Sequence, residues 1–220
     1  NDLPFSVFQI QTKFRDELRA KSGILRTREF LMKDLYSFSK TESEHNDFYE
    51  KSKIAYKNVF NRAGIGEKTF ITFASGGTFS KYSHEFQMLT DAGEDIIYYN
   101  KEKGVAVNKE VYTDEVLAEM GLKKSDMTEG KAVEVGNIFS LGTKFSEPLE
   151  LNYKNEDGKN IPVIMGSYGI GVPRLMGAIV ETMPTDTEII WPTEVSPFAV
   201  HIIAMKAEGD RKSTRLNSSH

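Results

Sequence analysis

Two groups of charged residues in this 220-residue chain have types and spacings suited to holding an anion. In GSYGIGVPR, residues 166–174, Arg174 stands three positions after Gly171, where a helical pattern opens. Glycines there let a flat ligand lie against bare backbone, while a helix N-terminus and a guanidinium fork favour negative charge. A purely structural arginine is the competing reading. The second group is Arg15, Glu17, Arg26, Arg28, Glu29 and Lys33, on or at the ends of two strand-like runs. A sheet face so charged meets either a ligand or solvent. Residues 1–40 carry a net +3 and residues 41–209 a net −9, so the second group also lies in the electropositive part, although charge clusters are often just solvated faces.

Other chemistries have little support. Cysteine is absent, which removes disulfides, thiolate nucleophiles and Cys-ligated zinc, and fits a reducing compartment. His45, His84, His201 and His220 are far apart with no i, i+4 pair, which disfavours zinc. GSYGIG as a dinucleotide fingerprint needs a preceding parallel strand and a downstream acidic residue, and its surroundings read as antiparallel hairpins. The net charge of −4 is not that of a chain basic throughout. No run reaches the roughly 20 apolar residues of a membrane span, and NDLPFSVFQ is not built like a secretory signal, so the expected location is cytoplasmic with no membrane partner.

The elements that position these residues follow from periodicity. FQIQTKF (8–14) and ILRTREFLM (24–32) alternate apolar and polar, predicting an antiparallel strand, loop, strand unit. Thr41 and Glu44 form a capping box for a helix that packs Phe48, Tyr49, Ala55, Tyr56, Val59, Phe60 and Ala63 inward and ends at Gly64. Strands are expected at 69–74, 85–89, 95–99, 132–139, 148–153 and 161–166, the last two joined by the NEDGK turn at 155–159. A short helix is expected over 113–120. After GSYGIG, VPRLMGAIVE changes to helical spacing, with Val172, Leu175, Met176, Ile179 and Val180 on one side and Pro173 in its first turn. The fold class is therefore α+β, a mainly antiparallel sheet flanked by helices.

FRDE (14–17), LRTREF (25–30) and GSYGIGVPR together resemble the second and third signatures of class II aminoacyl-tRNA synthetases. More narrowly, QIQTKFRDE, REFLMKDLYSF, SHEF, VEVGNIFSLGTKFSE, MGSYGIGVPRLMGAIVE and IIWP resemble the bacterial prolyl-tRNA synthetases, in the same order, over about residues 3–205. The resemblance implies ATP as substrate with Mg²⁺, and proline and tRNA(Pro) as partners. It assigns the α-phosphate and substrate carboxylate to Arg15, the outer phosphates to Arg26 and the γ-phosphate side of a bent ATP to Arg174. Arg15 and Arg174 are thereby the catalytic candidates. Glu17 would accept from the adenine amino group, Phe30 would stack on the ring or else serve as plain core, and Glu134 and Asn137 would face the nucleotide, with Glu134 a Mg²⁺ ligand. Met32, Tyr36, His84, Phe139 and Ser167 would wall the proline pocket. His84 as a histidine satisfied within a turn is the alternative. Asn137 stands where the bacterial family usually has His, and Ser167 where it often has Cys.

The same resemblance implies a catalytic core over 1–196, truncated at its N-terminus, without the editing domain that longer bacterial forms insert between Phe38 and Gly136. FAVHIIAM (198–205) would begin an anticodon-binding domain over 197–209, and 210–220 (DRKSTRLNSSH) reads as a disordered, foreign tail. A homodimer is implied for the intact parent, and the fragment alone would be a poor enzyme. Two other readings stay open: a class II synthetase for another amino acid, with threonine disfavoured by the absence of zinc ligands, and a non-catalytic synthetase-like module, disfavoured by the three arginines.

Overall fold

The structure is a computed structural model, which describes residues 2–18, 20, 23–77, 82–183 and 187–203. Ten strands and three α-helices are assigned among these residues. Strands β1 (Phe5–Phe14) and β2 (Glu29–Ser39) pair antiparallel, Phe14 opposite Glu29, and β2 is continued sideways by β10 (Ile164–Gly171) and then by β7 (Thr128–Gly142). The sheet runs on through β4 (Tyr82–Leu89), β3 (Thr69–Ser75), β6 (Val105–Asn108) and β5 (Asp95–Asn100). Because β5 also pairs with the first part of β7, the strands β7, β4, β3, β6 and β5 close into a ring around Phe70, Ile97, Ala106 and Ala132.

The second strand begins later than alternation predicts. Residues 24 and 25 leave the ladder because they are pinned to helix α3 (Val172–Glu181): Leu25 and Ile24 fill the space over Gly177, and Leu25 O accepts from Arg174 Nε at 2.9 Å. GSYGIG, which periodicity assigns to no element beyond Gly166, is strand throughout. It forms the buried centre of the sheet, and Gly166 lacks a side chain because a Cβ there would lie 2.5 Å from the Tyr168 hydroxyl and 2.8 Å from Ser37 Oγ. The expected hairpin about 155–159 forms in shorter strands, β8 (Asn152–Lys154) and β9 (Asn160–Pro162), while 164–166 belong to β10. Strand β6 is too short to show periodicity, and it pairs parallel with β3, so the sheet is mixed rather than wholly antiparallel.

Helix α1 (Glu42–Arg62) starts at the foreseen box: Thr41 Oγ1 accepts from Glu44 N, and Glu44 Oε2 from Thr41 N. Its inner stripe is His45, Tyr49, Tyr56 and Phe60, whereas Ala55 and Val59 turn outward. Helix α2 (Asp114–Glu119) is capped by Thr113 and packs Val116 and Leu117 on Val107. Helix α3 buries Ala178 and Ile179 and leaves Val172 and Met176 exposed. Helices α1 and α3 share one core with Phe86, Val135, Ile138, Tyr168 and Ile170, so both cover the same face of the sheet. The opposite face is left open. No described helix is long and apolar enough to cross a membrane. Residues 198–203 carry no strand, since no described strand lies beside them to pair with, and 210–220 lie outside the described residues.

Candidate active site

The open face of the sheet is organised by strand register. Reading across β2, β10, β7 and β4, Tyr36 stands beside Ser167 and Phe139, then Asp34 beside Gly169, Asn137 and Glu85, and Met32 beside Gly171. Register partners point to the same side, so four of the five proposed proline-pocket residues lie on one floor. The fifth does not. His84 is the register partner of Ile138, on the helix-covered face, where Nδ1 lies 2.9 Å from the Tyr49 hydroxyl and the ring packs edge-on to Phe73. Burial, followed by the charge of Lys53, lowers His84 to about 4, so it is held neutral. His84 is a satisfied histidine beneath the sheet, and the expectation that it walls the pocket is corrected: alternation along β4 sends Glu85, not His84, to the open face.

Beside this floor lies a cavity whose lining includes Arg15, Phe30, Met32, Glu134, Asn137 and Arg174. Arg15 follows the last residue of β1, its backbone N–H bonded to Arg28 O, and its guanidinium sits 5.1 Å from the centre of the Phe30 ring. Arg174 is in the first turn of α3, fixed by Leu25 O and by two contacts to Glu134, its carbonyl at 3.2 Å and Oε2 at 3.1 Å. Glu134 Oε1 accepts from Asn137 Nδ2 at 2.6 Å. Both oxygens of this carboxylate are therefore engaged, and the described residues contain no group of three acidic, His or Cys side chains that could cage a metal.

Glu17 and Arg26 are not in that lining. They pair with each other at 3.1 Å, and Arg26 Nε donates to Glu94 Oε2 at 2.6 Å; Arg26 and Glu94 line a second cavity with Ala92, Asp95 and Ala132. Arg26 thus lines a different cavity from Arg15 and Arg174, held there by two carboxylates.

A model of the tRNA synthetase class II core domain (G, H, P, S and T) matches residues 1–183. The chain belongs to this family. Curated relatives named proline–tRNA ligase include those of Caulobacter sp. (strain K31), 37% identical, and Rickettsia akari, 38% identical, over 95% and 98% of this chain. The chain spans about half the length of these relatives, 52% and 53%. In structure it resembles a prolyl-tRNA synthetase from Cryptosporidium parvum, described in complexes with halofuginone and AMPPNP and with L-proline and AMP: TM-score 0.63, 17% identity, covering 89% of this chain and 33% of that one. At that identity the likeness concerns the fold.

Within this class II core, sequence reasoning overlooked Asp34 and Glu85. Asp34 is 3% exposed, and its Oδ2 accepts from Gln9 and Lys13, each at 3.0 Å. Burial pushes its carboxyl up, but the bonds from Gln9 and Lys13 outweigh this and hold it below the usual range. Glu85 accepts from Gln87 and Asn108, and burial together with the charge of Glu134 pushes its carboxyl up. The period of two along FQIQTKF, REFLMKD and SHEF carried the signal for both, once any neighbour two positions away was placed on the open face.

Proposed function

We propose that the full-length protein is a cytoplasmic proline–tRNA ligase, which joins proline to ATP and then to the 3′ end of tRNA(Pro). The observation that carries this is the convergence of Arg15, Phe30, Asn137, Glu134 and Arg174, drawn from four separate elements, on one cavity beside the Met32, Tyr36, Phe139 and Ser167 floor. The names of the bacterial relatives, and the nucleotide and proline bound by the Cryptosporidium parvum enzyme, support the choice of substrates.

In the first step a carboxylate oxygen of proline attacks the α-phosphorus of ATP and pyrophosphate leaves. In the second a ribose hydroxyl of tRNA attacks the adenylate carbonyl and AMP leaves. Negative charge builds on oxygens already charged, so the chain's task is positioning and charge stabilisation, with no nucleophilic side chain. Arg15 holds the α-phosphate and carboxylate, Phe30 stacks on adenine with Glu17 accepting from its amino group, and Arg174 meets the γ-phosphate end. Arg26 reaches the outer phosphates after leaving its resting carboxylates. Magnesium would come with ATP to balance phosphate charge, and Glu134, in the lining of the site, would be the carboxylate to hold it. Met32 and Phe139 wall the small apolar ring while Tyr36 and Ser167 anchor it.

The exposed apolar side of edge strand β1, with Phe8 at 70% and Ile10 at 57% exposure, supports a homodimer of the full-length protein. Residues 1–196 would form the catalytic core, with no editing domain between β2 and β7, 197–209 would open an anticodon-binding domain, and 210–220 would be a foreign tail. The test is ATP–pyrophosphate exchange by the full-length protein with each amino acid in turn. Exchange that depends on proline is expected. Exchange driven by serine, threonine, glycine or histidine instead would transfer the chain to another member of the family, and none at all would make it a non-catalytic module.

A further inference from the structure

The loop between β1 and β2 is tied to the far part of the sheet through Glu94, a residue in the turn between β4 and β5. Its contact with Arg26 spans 68 positions of sequence, and the two side chains are only 17% and 13% exposed. The turn that presents Glu94 is itself fixed. Thr90 N–H donates to Lys131 O, Gly93 N–H donates to Thr90 O, and Gly93 lies so close to the backbone of Ala132 that a Cβ there would come within 2.4 Å. Glu94 is therefore held against β7, and the loop arginine comes to it.

We infer that Glu94 is a positioning residue that acts through Arg26. It keeps the guanidinium beside the cavity, paired also with Glu17, until the outer phosphates of a nucleotide draw it across. This rests on the nucleotide reading above. At rest the proposed adenine acceptor, Glu17, and the proposed phosphate donor, Arg26, neutralise each other at 3.1 Å. ATP separates them, its base taking the carboxylate and its triphosphate the fork. A guanidinium binds phosphate and carboxylate oxygens through the same planar geometry, so Glu94 and the triphosphate compete for one group. A ligand without outer phosphates leaves the Arg26–Glu94 contact in place.

The experiment is calorimetric titration of ATP and of AMP into the full-length protein and its Glu94→Gln, Arg26→Ala and doubly substituted variants. Removing a partly exposed competitor should tighten ATP binding about two- to fivefold in Glu94→Gln. AMP should bind to wild type and Glu94→Gln equally, and adding Glu94→Gln to Arg26→Ala should leave the ATP affinity where Arg26→Ala set it. Weaker or unchanged ATP binding in Glu94→Gln overturns the inference, as does an equal change for ATP and AMP, which would make Glu94 a structural anchor of the loop. Failure of the wild type to bind either nucleotide would overturn the site reading itself. Should Glu94→Gln not fold, Glu94→Asp supplies the comparison, since it keeps the charge but shortens the reach by one methylene.

Discussion

Arg174, in the first turn of α3, and Glu134, in β7, are joined twice: the guanidinium Nη1 donates to the Glu134 carbonyl at 3.2 Å and to Oε2 at 3.1 Å. The carbonyl bond depends on the β7 backbone leaving an acceptor exposed at its bulge, where Gln87 pairs with Glu134 and Phe86 with Gly136. A helix terminus is thereby locked to the strand that also carries Asn137, so the start of α3 is fixed in advance of any ligand.

Preorganised donors aimed at developing charge typically contribute about 10²–10³ in rate. Arg174→Ala in the full-length protein should lower proline-dependent pyrophosphate exchange by that order, and Arg15→Ala comparably, with the circular dichroism spectrum unchanged. Near-normal exchange in a folded Arg174→Ala protein would remove the residue from the site.

Thr41 and Glu44 satisfy three backbone donors at the start of α1, those of Lys40, Thr41 and Glu44. Thr41→Ala should cost about 1 kcal/mol and lower the melting temperature by about 2–4 °C. A calorimetric scan that shows no shift would mean the cap is redundant with the packing of Tyr49, Tyr56 and Phe60.

His84 is lowered to about 4 in the folded chain, first by burial and then by Lys53, against an ordinary value near 6.5. A histidine depressed on folding contributes stability that is complete above its unfolded value and is lost as pH falls from about 6.5 towards 4. His84→Gln should therefore flatten this part of the stability curve, whatever it costs at neutral pH. Urea unfolding at pH 7 and pH 5 for both proteins reads the difference, and equal slopes would show that His84 is not held neutral.

Gly166→Ala would drive a methyl into the space between Tyr168, Ser37 and His45, all buried polar neighbours beneath β10. Overpacking of this kind costs about 1–3 kcal/mol. The expected result is a lower denaturation midpoint with an unchanged m-value, and an unaltered midpoint would show that the layer under β10 gives way freely.

Alanine is smaller than proline, and a missing methylene costs only about 1–3 kcal/mol of discrimination. Between α1 and β7 the described residues form only short strands, α2 and three single turns of 3₁₀ helix. The full-length protein should therefore misactivate alanine in pyrophosphate exchange and leave Ala-tRNA(Pro) intact. Deacylation well above the spontaneous rate would reveal an editing site.

Local rules reach a definite distance into this fold. The α1 start follows from Thr41 and Glu44, the α2 cap from Thr113, the hairpin turn from NEDGK, and the places of Arg15 and Arg174 at a strand end and a helix start from the periodicity around them. Each of these depends on contacts within a few residues, which is why the chain itself displays them. Which face a strand side chain takes, and which charge finds which, depends on register between distant segments. GSYGIG is rich in glycine, yet it is an interior strand, because β2 and β7 flank it and His45, Ser37 and Tyr168 fill the space that a side chain at Gly166 would need. His84 and Glu85 are equally polar in sequence, and only the pairing of β4 with β7 sends one beneath α1 and the other to the open face. Arg26 has the type and place of a phosphate ligand, while its resting direction is set by Glu94, brought near when β5 closes on β7.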